Sequence, residues 1–60
     1  MTLDTLVHDV NSKCASLKDA AALLRGLPAG EAKGLLELMT RQALSLADAI
    51  EEYEEELTAR

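Results

Sequence analysis

Apolar residues recur along the first part of the chain at alternating steps of four and three: Leu3, Val7, Val10, Cys14, Leu17, Ala21 and Leu24. That spacing keeps one face of a helix apolar and predicts helices packed side by side. The same steps return at Ala32, Leu36, Met39, Ala43, Leu46, Ile50, Tyr53 and Leu57, where Leu35, Leu38, Gln42 and Ala49 widen the stripe. A stripe broader than two positions in seven suits a four-helix bundle better than a two-stranded coiled coil.

Between the two stripes stands Arg25-Gly26-Leu27-Pro28. Gly26 suits the left-handed residue that closes many helices, and Arg25 suits the negative end of the helix before it. Pro28 fits the start of a new helix, where its missing N–H would go unused anyway. Thr2 is a possible N-cap, with Asp4 well placed near the positive end of the first helix, and Glu31 near that of the second. The pattern predicts a helix over about 3–25, a turn at about 26–28 and a helix over about 29–57. Joined so tightly, the two must run antiparallel. The expected fold is therefore all-α, a single-domain antiparallel helical hairpin spanning residues 1–60.

Composition sharpens this. Of 60 residues, 48% are hydrophobic, yet there is one Tyr and no Trp or Phe, so the apolar content is largely Leu and Ala, both strong helix formers. A lone hairpin of this size hides too little apolar surface to be stable by itself. Self-association into a homodimeric four-helix bundle is the simplest completion. Cys14, at a seam position, is expected to be buried and unreactive, and Met39 and Tyr53 are expected as core or rim residues. The net charge of −5 and scattered basic residues argue against nucleic acid or a membrane surface as partner. No apolar run approaches the roughly 20 residues of a membrane span, and no signal-peptide pattern opens the chain. With a single cysteine the chain fits a reducing compartment, and a cytoplasmic location is expected. The run Glu51-Glu52-Tyr53-Glu54-Glu55-Glu56 places negative charge at the negative end of the second helix and reads first as a solvated face.

The candidate chemistry lies at His8-Asp9-Val10-Asn11-Ser12-Lys13. His8 falls about 100° around the helix from Val7, so its ring is expected on the shoulder of the seam with its tip in water. Asp9, beside it, can orient the imidazole and raise the basicity of the opposite nitrogen. Ser12 lies one turn away on the same face, while Asn11 and Lys13 add an amide and a cation. No second histidine or cysteine stands at ligand spacing, so no metal site is expected.

This strip resembles the phosphoacceptor box of the dimerisation and histidine-phosphotransfer domain of sensor histidine kinases. There a helical hairpin dimerises into a four-helix bundle, and an exposed histidine of the first helix carries a phosphoryl group. His8 and Asp9 match the first two positions of the family pattern, Asn11 fits some members, and Ala15-Ser16-Leu17 resembles the continuation. Ser12 stands where the family has Asn or Thr, and Lys13 where many members have proline. The resemblance implies His8 as phosphoacceptor, Asp9 as base or orienter, Ser12 at the phosphatase position and Asn11 in support. It implies no cofactor on this chain: ATP and Mg²⁺ would come with a kinase catalytic domain, in cis in a parent protein or in trans. The remaining partner would be a response-regulator receiver domain, whose aspartate takes the phosphoryl group. A purely structural dimerisation hairpin, with no chemistry at His8, is the alternative.

Overall fold

The computed structural model describes residues 2–59. It contains two α-helices, α1 (Leu3–Leu23) and α2 (Ala29–Thr58), joined by a 3-10 turn at Leu24–Gly26, with no strand among the described residues. Thr2 caps α1: its backbone is extended and its side-chain oxygen accepts the Thr5 N–H at 3.1 Å. This satisfies one of the donors that a helix start leaves open.

The end of α1 differs from the expected left-handed closure. Among the described residues no glycine has a positive φ, Gly26 included. Instead the last turn tightens. The Leu24 N–H is shared between the carbonyls of Ala20 and Ala21, and the Leu27 N–H reaches Leu24 O at 3.4 Å. Tightening from α to 3-10 supplies partners to the carbonyls that a Schellman closure would otherwise serve. Leu27 and Pro28 are extended, with ψ of 141° and 154°, and this pair reverses the chain. Pro28 precedes the first residue of α2 and its carbonyl accepts the Ala32 N–H at 2.9 Å. At the far end Ala59 N–H donates to Glu55 O at 2.9 Å.

The molecule is a rod, 49 × 16 × 10 Å in its Cα extents. Its radius of gyration of 14.3 Å exceeds the roughly 10 Å expected of a compact 60-residue domain. Helix α2 has 30 residues against 21 in α1, about 14 Å more helix, and it carries the glutamate run at the open end of the hairpin. Tyr53 is half-buried near the level of the α1 N-terminus.

Along α1 the half-buried positions are Leu6, Asp9, Val10, Lys13, Leu17 and Ala20, leading into Leu24. Along α2 they are Ala32, Leu35, Met39, Gln42, Leu46, Tyr53 and Glu56, and Ala49 is the one buried residue among those described. The hairpin therefore meets along Val10, Leu17 and Leu24 of the expected α1 stripe, and along Ala32, Met39, Leu46 and Tyr53 of the expected α2 stripe. The partner strips are not the expected ones. Val7, Cys14 and Ala21 are exposed, as are Leu36, Ala43, Ile50 and Leu57, and Leu6, Ala20, Leu35 and Ala49 are turned inward in their place. Each helix is rotated by about half a residue step, roughly 50°, from the seam read in the sequence. The inward choice puts Leu6 and Ala49 at the open end of the hairpin and Ala20 and Leu35 towards the turn, a small residue level with a leucine in each case.

The rotation has one consequence for the outer surface. Helices running in opposite directions turn their residues in opposite senses when viewed from one end. Equal rotation of both therefore carries Val7–Cys14–Ala21 and Leu36–Ala43–Ile50–Leu57 to the same side of the rod. Exposure along this face reaches 49% at Val7, Leu36 and Leu57 and 47% at Ile50. The opposite side exposes Leu23 and Leu38, but there they are separated by Asp9, Lys13, Ser16, Gln42, Ser45 and Glu52.

Candidate functional site

His8 projects from the second turn of α1 on the side away from α2. It lies about 170° around the helix from the midline between Val10 and Lys13, which face the partner helix. The ring is exposed, so the expected anchoring by the seam at its base does not occur. The cause is the rotation of α1: with Val7 turned outward, the shoulder on which His8 was expected becomes the outer edge of the rod. Ser12, one turn on, is exposed on the same face, and Asn11 is exposed beside the Val7–Cys14 strip.

Asp9 points the other way. It is half-buried on the flank towards α2, and its Oδ1 accepts a hydrogen bond from Lys13 Nζ at 2.5 Å, an ion pair one turn long. Side-chain exposures of 21% for Lys13 and 34% for Asp9 leave the pair partly shielded by the groove. The Lys13 ammonium group turns back along α1 to the Asp9 carboxylate. Among the described residues no hydrogen bond joins Asp9 to His8. The i, i+4 spacing of Asp9 and Lys13 was the available signal for this pairing, since side chains four apart on a helix are neighbours and side chains one apart are not.

The structure thus brings His8 and Ser12 to one face, places Asn11 at its border, and directs Asp9 to a separate ion pair. An exposed imidazole on this edge is open to a docking protein from outside the hairpin and can present a ring nitrogen to a phosphoryl donor. Among the described residues, no hydrogen bond holds a general base against it.

Cys14 is exposed, contrary to the expectation of a buried thiol, because it belongs to the strip that α1 turns outward. The described residues form no cavity and no group of three or more side chains able to hold a metal ion. None of the described helices is long and apolar enough to cross a membrane. No protein-family model, no curated protein and no solved structure matches this chain, so its chemistry is read from the hairpin's own two surfaces: an apolar face shared by both helices and a polar edge that displays His8.

Proposed function

We propose that the chain is a self-associating helical hairpin, two copies of which pack by their common apolar face into a four-helix bundle. The observation that carries this reading is the near absence of a core: among the described residues Ala49 alone is buried, still 9% exposed, while Val7, Leu36, Ile50 and Leu57 stand about half exposed on one side. The accessible surface, 4639 Å², supports it. A compact monomer of this mass exposes about 3,800 Å². The excess of about 800 Å² is close to what each partner buries in a protein interface of standard size.

On that bundle we place histidine phosphotransfer in two-component signalling. His8 would take the γ-phosphoryl group of ATP onto a ring nitrogen, releasing ADP from a kinase catalytic domain that holds the nucleotide and Mg²⁺. It would then pass the group to the aspartate of a receiver domain, regenerating the imidazole. The motif resemblance at His8, Asp9 and Asn11 supports this, as does the position of His8 on the outer edge, where packing of the apolar face leaves the ring accessible. Such transfer depends on positioning and charge stabilisation, which the partner domains supply. A cytoplasmic site of action belongs to the same reading.

The second reading is a dimerisation hairpin without chemistry, and one observation favours it: the Asp9 carboxylate serves Lys13 and not the imidazole. Incubating the chain with a panel of receiver domains phosphorylated by acetyl phosphate separates the two. Acid-labile, base-stable label on the wild type that disappears in His8→Ala supports phosphotransfer. Label on neither protein, with dimerisation intact, leaves the structural hairpin.

A further inference from the structure

We infer that the two copies pack with their rods reversed, the turn of one beside the open end of the other. This rests on the self-association proposed above and adds its geometry. The argument comes from how charge is distributed along the rod. Residues 1–13 and 44–60, which make up the open half, carry a net charge of −6 by sequence. Residues 14–43, which make up the turn half, carry +1.

The segregation is sharpest beside the apolar face. The residues bordering the exposed strip on its outer side include Asp4 and Lys18 of α1, Arg25 of the 3-10 turn, and Lys33 and Glu54 of α2, all exposed. The three cations lie in the turn half and the two anions in the open half. If the copies aligned turn to turn, two-fold symmetry would set α1 against the partner's α2. Asp4 would then approach Glu54 of the other copy, and Arg25 would approach Lys33, a rim made of like charges. It would also bring two glutamate runs to one end.

Reversing one rod about an axis perpendicular to its length sets α1 against α1 and α2 against α2. Asp4 then falls between Lys18 and Arg25 of the other copy, and Glu54 within about a turn of Lys33, each contact occurring twice by symmetry. Rim pairs add little affinity, but like charges placed opposite one another select against an arrangement. The apolar strips accept the reversal. Cys14 meets its own copy near the axis, the larger Val7 faces the smaller Ala21, and Leu36 falls between Ala43 and Ile50. The two His8 side chains remain on outer edges, one towards each end of the bundle.

The test is a spin-label distance measurement. A nitroxide is attached at Gly30→Cys in a Cys14→Ser background. Gly30 lies in the first turn of α2, and an added Cβ there meets nothing within 4 Å. Reversed rods place the two labels about 35–40 Å apart, whereas turn-to-turn packing places them within about 15–25 Å. The long distance is the expected result and the short one overturns the inference while leaving self-association intact. A sedimentation monomer with no dipolar coupling overturns self-association itself. Asp4→Lys gives a second reading in the unlabelled chain: in reversed rods it weakens dimerisation several-fold, and in turn-to-turn rods it strengthens it by facing Glu54.

Discussion

Val7 and Val10, three residues apart on α1, face different surfaces: Val10 lies against α2, and Val7 stands 49% exposed on the outer apolar strip. One helix thus presents two adjacent seams, the first used within the hairpin and the second left for another chain. Val7→Asp should leave the intramolecular seam intact and abolish dimerisation, because it introduces a charge into an apolar contact without a partner. Sedimentation equilibrium measures the outcome. A dimer as tight as wild type would place the interface elsewhere.

The intramolecular seam has its own test. Leu17→Ala or Leu46→Ala removes a side chain held between the helices and should cost about 1–3 kcal/mol in urea or thermal unfolding. Leu23→Ala should cost less than about 0.5 kcal/mol, because Leu23 is 62% exposed and lies outside both seams. Equal losses at all three positions would contradict the observed rotation of α1.

Cys14 supplies a concentration-dependent probe. It is exposed in the single hairpin and central to the strip proposed to meet a second copy. Its reaction with a bulky maleimide should be fast in dilute solution and slow as protein concentration rises through the dimerisation range. A rate independent of concentration would show that the strip stays open.

The ion pair beside the histidine predicts a modest coupling. A double-mutant cycle with Asp9→Asn and Lys13→Met should give about 0.3–0.5 kcal/mol, falling with added salt. His8→Ala should change the melting temperature little, since the residue is exposed, while abolishing any acid-labile phosphorylation. Unfolding of His8→Ala would assign the residue a structural role.

The cap is the last of these. Thr2→Ala removes the acceptor for the Thr5 N–H and should cost about 1 kcal/mol, read as lost helicity by circular dichroism.

Two helices, their boundaries to within two residues and the Thr2 cap were legible because periodicity, capping and proline placement act locally. The rotation of the helices was not legible. Each stripe is three heptad positions wide, so Val10 and Leu17 can be joined either by Val7 and Cys14 or by Leu6 and Ala20. Packing against α2 decides between them. The turn was misread for a related reason: glycine permits a left-handed closure, but a 3-10 turn closes α1 equally well. At the candidate site the water-facing tip of His8 was legible, but the loss of seam contact at its base was not, because it follows from the rotation of α1. Asp9 has two candidate partners, His8 next to it in sequence and Lys13 one turn on, and helix geometry favours the second because side chains four apart are neighbours in space.

The overhang of α2 has a practical side. Tyr53 is the only aromatic residue in the chain, and it stands where α1 begins and the glutamate-rich extension of α2 sets out alone. Ultraviolet absorbance and fluorescence therefore watch one end of a 49 Å rod and are blind to the other. Fraying at the open end would register optically well before the Leu27–Pro28 reversal gave way, so a tyrosine melt that precedes the far-ultraviolet melt would mark the order in which the hairpin comes apart.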